Sequence, residues 1–374
     1  MKNRRKSQVK MLDHSKAKID LLEKYLEKYL NIIANDGYTK RIDIFDLFCG
    51  EGIYENGGKG SPIAILKVLS DLYTINKAKI RNIPKVNLYF NDKNQPKIEK
   101  LKQAITENAL HDKSYGELIF RNKDYKEIVE PLALHTEKLK NEKAFIFIDP
   151  YGYKEIRASE LKKLLASKKS EVLLFLPTQF MYRFDEKGTP QALIEILEEL
   201  VDLREWKPNG SVYEFIQQFK EALRKFLGKD FFVDTFTIQK DTTTVFCLFF
   251  ISSHIRGFEK MLETKWQLDD EEGKGWRYEK TGNLFSTFKT NPLEEKLLEF
   301  IKTKSNCSNG EIYEFILHLG FLPTHANEVL STLQADGRLK VVLSDKTNEI
   351  RKGAFYINYE NYKTDPNKAF FKII

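Results

Sequence analysis

Ile42-Asp43-Ile44-Phe45-Asp46-Leu47-Phe48-Cys49-Gly50-Glu51-Gly52 is the stretch on which the fold turns. An apolar run that ends in Asp and opens onto Gly-x-Gly reads as a buried strand delivering a glycine turn. In an open α/β sheet the carboxyl ends of such strands are where nucleotide-like ligands bind. A second apolar run, Ala144-Phe145-Ile146-Phe147-Ile148, also ends in an acid, at Asp149-Pro150-Tyr151-Gly152. Two strands each closed by Asp point to one site with a cofactor half and a chemistry half.

Working outward, residues 12–34 place Leu12, Ile19, Leu22, Leu26, Tyr29, Leu30 and Ile33 at helical spacing, with Asp13 or Ser15 as the expected N-cap. Ser61-Pro62 opens a second helix, and further strands are expected at 86–90, 118–120 and 172–176, separated by helices at 96–108, 126–139 and 160–165. Continuous apolar strands alternating with helices predict a parallel sheet covered on both faces. Residues 189–228 read as two helices joined by a Lys207–Gly210 turn. Strands at 231–239 and 242–252, joined through Lys240-Asp241, read as an antiparallel edge hairpin. Beyond Pro292 three helices (293–303, 309–319 and 325–336, the last capped by Thr324) precede a strand at 339–343 and a partner strand at 353–358, the layout of a winged helix. The expected fold is therefore an α/β Rossmann-like sheet with a C-terminal winged-helix domain. Its divisions are an N-terminal helical segment (1–40), a Rossmann domain (41–288) with a helical insertion at about 186–228, and the winged helix (289–374).

The 374 residues suffice for several domains, and 41% apolar with 31% charged residues indicates a globular chain rather than a disordered one. No uninterrupted apolar window reaches membrane-spanning length, and the basic start has no apolar stretch after it, so neither a membrane segment nor a secretory signal is expected. Cys49, Cys247 and Cys307 lie far apart, which fits a reducing, cytoplasmic setting. A net charge of +7 is compatible with RNA or DNA as partner without establishing it. No zinc-ligand spacing and no Gly-x-Ser-x-Gly elbow is present, so no metal site is expected.

Dinucleotide binding loses to the sequence itself: the third glycine of Gly-x-Gly-x-x-Gly is replaced by Glu55, and no phosphate-loop lysine follows. Asp46-Leu47-Phe48-Cys49-Gly50-Glu51-Gly52 instead resembles the first motif of class I S-adenosylmethionine-dependent methyltransferases. Glycines there let the backbone approach a cofactor where a Cβ would collide. Asp46, Phe48, Gly50 and Gly52 are the candidates for the methionine end. Asp92, closing the second strand, can take the ribose hydroxyls or merely cap a helix. Asp124, closing the third, can meet the adenine amine or equally act as a cap. Asp149, Pro150 and Tyr151 supply a carboxylate, a fixed carbonyl and a flat ring, which suit an exocyclic amine as methyl acceptor; packing is the alternative role for Tyr151. His14, Lys18 and Lys59 stand near enough in this reading to meet a phosphate.

His14-Ser15-Lys16-Ala17-Lys18, Asp46-x-Phe48-x-Gly50-x-Gly52-x-Tyr54, Gly60-Ser61-Pro62, Phe147-Ile148-Asp149-Pro150-Tyr151-Gly152 and Arg256-Gly257-x-x-x-Met261-x-x-x-x-Trp266, in that order, resemble the three-Cys-motif partner (TcmP) family over nearly the whole chain. That resemblance implies a class I methyltransferase-like core and a partner protein carrying a three-cysteine motif. The fourth motif also resembles the Asp-Pro-[Phe/Tyr]-Gly of tRNA guanine-N2 dimethyltransferases. It departs from the [Asn/Asp]-Pro-Pro-[Tyr/Phe] of adenine-N6 enzymes, because position 151 is Tyr and position 152 is Gly. The expectation is a methyltransferase that modifies guanine N2 or adenine N6 in nucleic acid. A non-catalytic nucleic-acid-binding or regulatory partner of a three-Cys-motif protein is the alternative.

Overall fold

β1 (Arg41–Asp46) lies at the heart of a sheet in which it pairs in parallel with β2 (Lys85–Asn91) on one side and β4 (Glu142–Ile148) on the other. The computed structural model describes residues 10–78, 83–185, 190–207, 210–278, 292–344 and 352–374. The chain divides into two units, residues 1–279 and 280–374. The expected domain boundary at 288/289 and the expected start of the insertion at 186 lie outside the described residues, as do two residues of the expected 207–210 turn.

In the first unit β3 (Leu118–Arg121) extends the sheet beyond β2, and β5 (Ser170–Leu176) extends it beyond β4, all in parallel. β7 (Val245–Ser252) then runs antiparallel to β5, and β6 (Phe232–Gln239) antiparallel to β7, giving the expected hairpin on that flank. A short strand that the sequence reading did not contain, β8 (Gly275–Arg277), adds outside β6. The order β3-β2-β1-β4-β5-β7-β6, five parallel strands followed by an antiparallel pair, is the Rossmann-like methyltransferase sheet. Register makes the strand ends level: Asp46 stands opposite Phe90 and Phe147, so Asp92 and Asp149 emerge beside it at one sheet edge.

α1 (Asp13–Ala34) is long and amphipathic, and its buried stripe of Leu21, Leu22, Tyr25, Leu26, Tyr29, Leu30 and Ile33 follows helical spacing. Burying each such side chain stabilises by roughly 1.5–3 kcal/mol. The Tyr25 ring meets Phe145 of β4 at 5.8 Å and Phe250 of β7 at 4.8 Å, and its hydroxyl donates to the buried Glu171 of β5. These contacts fix α1 across one face of the sheet and bring its first turn to the carboxyl ends of the strands. Neither Asp13 nor Ser15 caps it: Leu12 holds the N-cap position without a side-chain hydrogen bond. The start is secured instead by Asn56, whose side chain accepts from the Met11 amide at 3.0 Å and donates to the Met11 carbonyl at 3.0 Å.

α2 (Ser61–Ala78), α3 (Gln95–Glu107), α4 (Tyr125–Glu137) and α5 (Ala158–Leu164) occupy the expected crossovers. α6 (Thr178–Asp185), directly after Pro177, was not expected. α7 (Gln191–Leu200) and α8 (Val212–Leu227) bury Leu193, Ile196, Leu197, Phe215, Ile216 and Phe219, with the Phe219 ring edge-on to Phe249 of β7 at 5.3 Å. They are part of the sheet's cover. α9 (Ile255–Leu268) follows β7 and carries the Arg256 to Trp266 motif.

The second unit has three helices, α10 (Pro292–Thr303), α11 (Asn309–His318) and α12 (Pro323–Ala335), around Leu293, Leu297, Ile301, Ile312, Tyr313, Ile316, Leu330 and Leu333. Ser308 and Glu311 form a reciprocal capping box at the start of α11. Thr324 is not the cap of α12. It lies inside the helix, Leu322 holds the N-cap position, and His325 Nδ1 accepts from the Leu322 amide at 3.2 Å. A three-stranded sheet contains β9 (Cys307–Ser308), β10 (Leu339–Leu343) and β11 (Ala369–Ile373), with β11 between the other two. The expected partner strand at 353–358 is not a strand: Tyr356 has φ +57°, a left-handed conformation that breaks an extended run. β11 pairs with β10 in its place, after the short α13 (Tyr359–Thr364).

Candidate active site

One cavity of about 1160 Å³ opens at the carboxyl ends of the first unit's strands. That exceeds the roughly 300–1,000 Å³ typical of a single small-molecule site. Its floor is the turn after β1. Gly50 has φ +66° with open space where a Cβ would project, while Gly52, at φ +78°, would drive a Cβ to within 2.5 Å of Leu101 Cδ1. Gly50 therefore faces room for a ligand, and the left-handed backbone at both positions favours glycine. Phe48 lines the same floor and stacks on Tyr125 at 5.6 Å.

Asp46 is fully buried at the tip of β1. Its Oδ1 accepts from the Phe48 amide at 3.3 Å, and its Oδ2 has no hydrogen-bond partner among the described residues. Burial, reinforced by the charge of Asp149, lifts its carboxyl to about 7. An orphaned buried acceptor of this kind is costly unless a ligand supplies the donor.

Asp92, also buried, closes β2. It does not line the cavity: its Oδ2 accepts from the Gly50 amide at 3.2 Å and from the Tyr151 hydroxyl at 3.3 Å, and its Oδ1 accepts from the Asn94 amide at 2.8 Å. Lys97 Nζ lies 3.7 Å from the same carboxylate, contacts the Tyr151 hydroxyl and sits 4.5 Å above the Tyr151 ring. Burial, with the Asp92 and Asp149 charges, pushes the Tyr151 phenol far above its ordinary value. Tyr151 thus bridges the loop after β4 to the acid after β2, rather than packing into the core.

Asp124 takes the other role open to it. It is the N-cap of α4, its Oδ1 accepting from the Lys126 amide at 3.2 Å, in a capping box completed by Glu127. It does not line the cavity.

Asp149 pairs with Lys18, which reaches over from α1, and Pro150 is buried beside it. The far half of the cavity has a different character. Phe175 at the end of β5, Pro177 and Phe180 beyond it, Phe246 of β7, Lys240 of the hairpin turn and His14 of α1 surround it. The Phe246 ring lies 5.4 Å from Phe175 and 5.7 Å from His14, and Lys18 Nζ lies 4.4 Å from the Phe175 centroid. Burial, followed by Lys240 and Lys18, lowers His14 to about 4, so it is neutral near pH 7. Sequence reasoning placed His14 and Lys18 nearby but missed the wall of Phe175, Phe180 and Phe246. Strand phenylalanines look like core in a sequence, and only sheet geometry separates the one at a strand's end. Lys59 does not line the cavity. Among the described residues no group of three or more His, Cys, Asp or Glu is arranged to hold a metal ion, and no helix is long and apolar enough to cross a membrane.

The arrangement defines an α/β ligand site of the Rossmann-like methyltransferase fold. Residues 269–346 match the family of GMT-like wHTH domains, in agreement with the C-terminal helices and wing. No curated protein sequence matches the chain. Among solved structures the chain is similar to an rRNA methylase from Streptococcus thermophilus (8% identity, 61% of this chain and 93% of that one, TM-score 0.29). It is also similar to a loganic acid methyltransferase with SAH (12%, 71% and 84%, TM-score 0.31). A third likeness is SCL7 of Oryza sativa (10%, 64% and 81%, TM-score 0.34). With superpositions this loose, the fold assignment rests on strand order and register.

Proposed function

We propose that this chain is an S-adenosylmethionine-dependent methyltransferase acting on an exocyclic amine of a nucleic-acid base, guanine N2 or adenine N6. The observation that carries the reading is the shared cavity: the open Gly50 turn and the Asp149-Pro150-Tyr151 loop line one space, with Asp46 buried at the strand end behind that turn. The residues fit the cofactor in kind. Asp46 offers a buried acceptor for the amino group of the methionine end, Gly50 and Gly52 the turn beside it, and Phe48 an apolar floor, while Asp92, buried outside the cavity's lining, would exchange its present donors for ribose hydroxyls. Asp124 is left out of this set because its carboxylate caps α4.

When bound, the cofactor supplies a methyl on a sulfonium that is already electrophilic, so orientation is what the chain must add. Asp149 accepts an N–H of the acceptor amine and takes the proton that the nitrogen sheds. Phe175, Phe180 and Phe246 offer faces for a planar base, which a duplex would have to flip out. The resemblance to the three-Cys-motif partner family adds a partner of that kind to the proposal.

The experiment is incubation with methyl-labelled cofactor and total RNA, DNA and protein in parallel, with calorimetry of cofactor binding alongside. Label in RNA or DNA is expected, lost in Asp149→Ala while cofactor binding survives. Label in protein alone, or no cofactor binding at all, would overturn the reading.

A further inference from the structure

Lys18 is the one cation paired with Asp149 among the described residues, and the pair is well sheltered, with side-chain exposures of 11% and 22%. Its ammonium engages Asp149 Oδ2, its position 4.4 Å from the Phe175 centroid holds it against the acceptor wall, and among the described residues no hydrogen bond to Asp149 Oδ1 is found. Sheltered ion pairs are poor sources of stability, since desolvation offsets most of the attraction. Nor does α1 need this one to dock: its apolar stripe, the Tyr25–Glu171 hydrogen bond and the Asn56 clamp on Met11 already hold it. The pair has a different consequence. It engages one oxygen of Asp149 and leaves the other to accept from a ligand.

We infer that Lys18 is a positioning residue for the acceptor. By holding Asp149 Oδ2 it presents Oδ1 to one N–H of the incoming amine, and so sets the direction of the nitrogen lone pair. This rests on the methyl-transfer reading above. Asp149 also raises the proton affinity of buried Asp46, and Lys18 opposes that rise. Lys18 reaches the site from α1, outside the loops that carry the Asp46 and Asp149 motifs.

The test compares Lys18→Met, which keeps an apolar stem over Phe175, with Lys18→Arg and Asp149→Asn. For each we would measure S-adenosylhomocysteine affinity, methyl transfer into whichever nucleic acid takes label, and binding of guanosine or adenosine to the S-adenosylhomocysteine complex by NMR. Lys18→Met is expected to lower kcat at least about tenfold, the cost of losing one well-oriented hydrogen bond to a charged group. S-adenosylhomocysteine affinity should stay within about twofold of the parent, a change too small to signify a lost contact. Nucleoside binding should weaken as it does in Asp149→Asn, and Lys18→Arg should recover most of the loss. Full activity in Lys18→Met beside an inactive Asp149→Asn overturns the inference and leaves the methyl-transfer reading standing. Loss of S-adenosylhomocysteine binding in Lys18→Met overturns it in favour of a purely structural pair. A parent protein that neither binds S-adenosylhomocysteine nor labels nucleic acid overturns both.

Discussion

At the scale of single residues, Asp46 has the most readable consequence. Its carboxyl is lifted from 3.8 to about 7, so between those values the folded state holds a proton that the unfolded chain lacks. That contribution to stability is complete at acid pH and is lost as pH rises through about 7. Asp46→Asn removes it, so unfolding free energies measured by urea titration should shift in the variant's favour between pH 4 and pH 8, by at most about 4 kcal/mol. Binding runs the other way. A ligand amine beside Asp46 favours the carboxylate, so the proton must leave on binding. S-adenosylhomocysteine affinity should therefore climb with pH toward 7 and level off above it, and calorimetry of Asp46→Asn should show weaker binding without that slope. Affinity that falls over the same range would contradict the placement of the amine. Tyr151 makes an opposite prediction. Its hydroxyl is one of several donors on the carboxylate proposed for the ribose, so Tyr151→Phe removes one competitor and should tighten S-adenosylhomocysteine binding by about two- to tenfold, the worth of one competing hydrogen bond. Weaker binding would mean the phenol touches the ligand directly.

At the scale of elements, α1 decides whether the cavity is closed on the acceptor side. Tyr25 is fully buried and donates to Glu171, which is also buried and keeps Ser252 as its other partner at 2.7 Å. Tyr25→Phe removes one of two donors from a buried acid and should lower the unfolding free energy by about 1–3 kcal/mol, at an unchanged denaturant slope. The sequence made α1 and the parallel strands legible because their apolar periodicity is strong and their ends carry punctuation: Asp46, Asp92 and Asp149 after apolar runs, Ser61-Pro62 at a helix start. It was silent where two structures share one local signal. Asp124 after a strand looks the same whether it caps a helix or meets a ligand, and only the capping box with Glu127 separates them. Phe355 and Ile357 are buried, as strand residues would be, yet the left-handed Tyr356 between them prevents pairing. Ala369 and Phe371, buried on alternate positions, form the true partner of β10, and their distance along the chain from Leu343 hid that pairing. Lys18 was visible as a basic residue, but its partner 131 positions away was not.

At the scale of the whole molecule, the two units divide the work in a way that can be separated experimentally. Every residue lining the cavity, from Leu12 to Phe246, belongs to the first unit. The second unit matches a wHTH family, but its α12 exposes Thr324, Glu328, Ser331, Thr332 and Ala335, a face without a Lys or Arg to meet phosphates. Base reading by that helix in a major groove is therefore a poor fit. Two exposed cations lie on the small sheet. Lys340 of β10 and Lys372 of β11 are exposed and stand directly opposite each other in register. Like charges in that position destabilise each other, and an anionic backbone laid across them would relieve the repulsion. If nucleic acid is the substrate, the double variant Lys340→Glu/Lys372→Glu should weaken RNA or DNA binding and lower the salt slope of the affinity by about two, one for each lost phosphate contact. Its S-adenosylhomocysteine affinity should match the parent, because neither residue belongs to the unit that holds the cavity. Filter binding from 50 to 200 mM salt reads the slope. An unchanged slope would remove the wing from the nucleic-acid interface and leave the first unit to hold the acceptor alone.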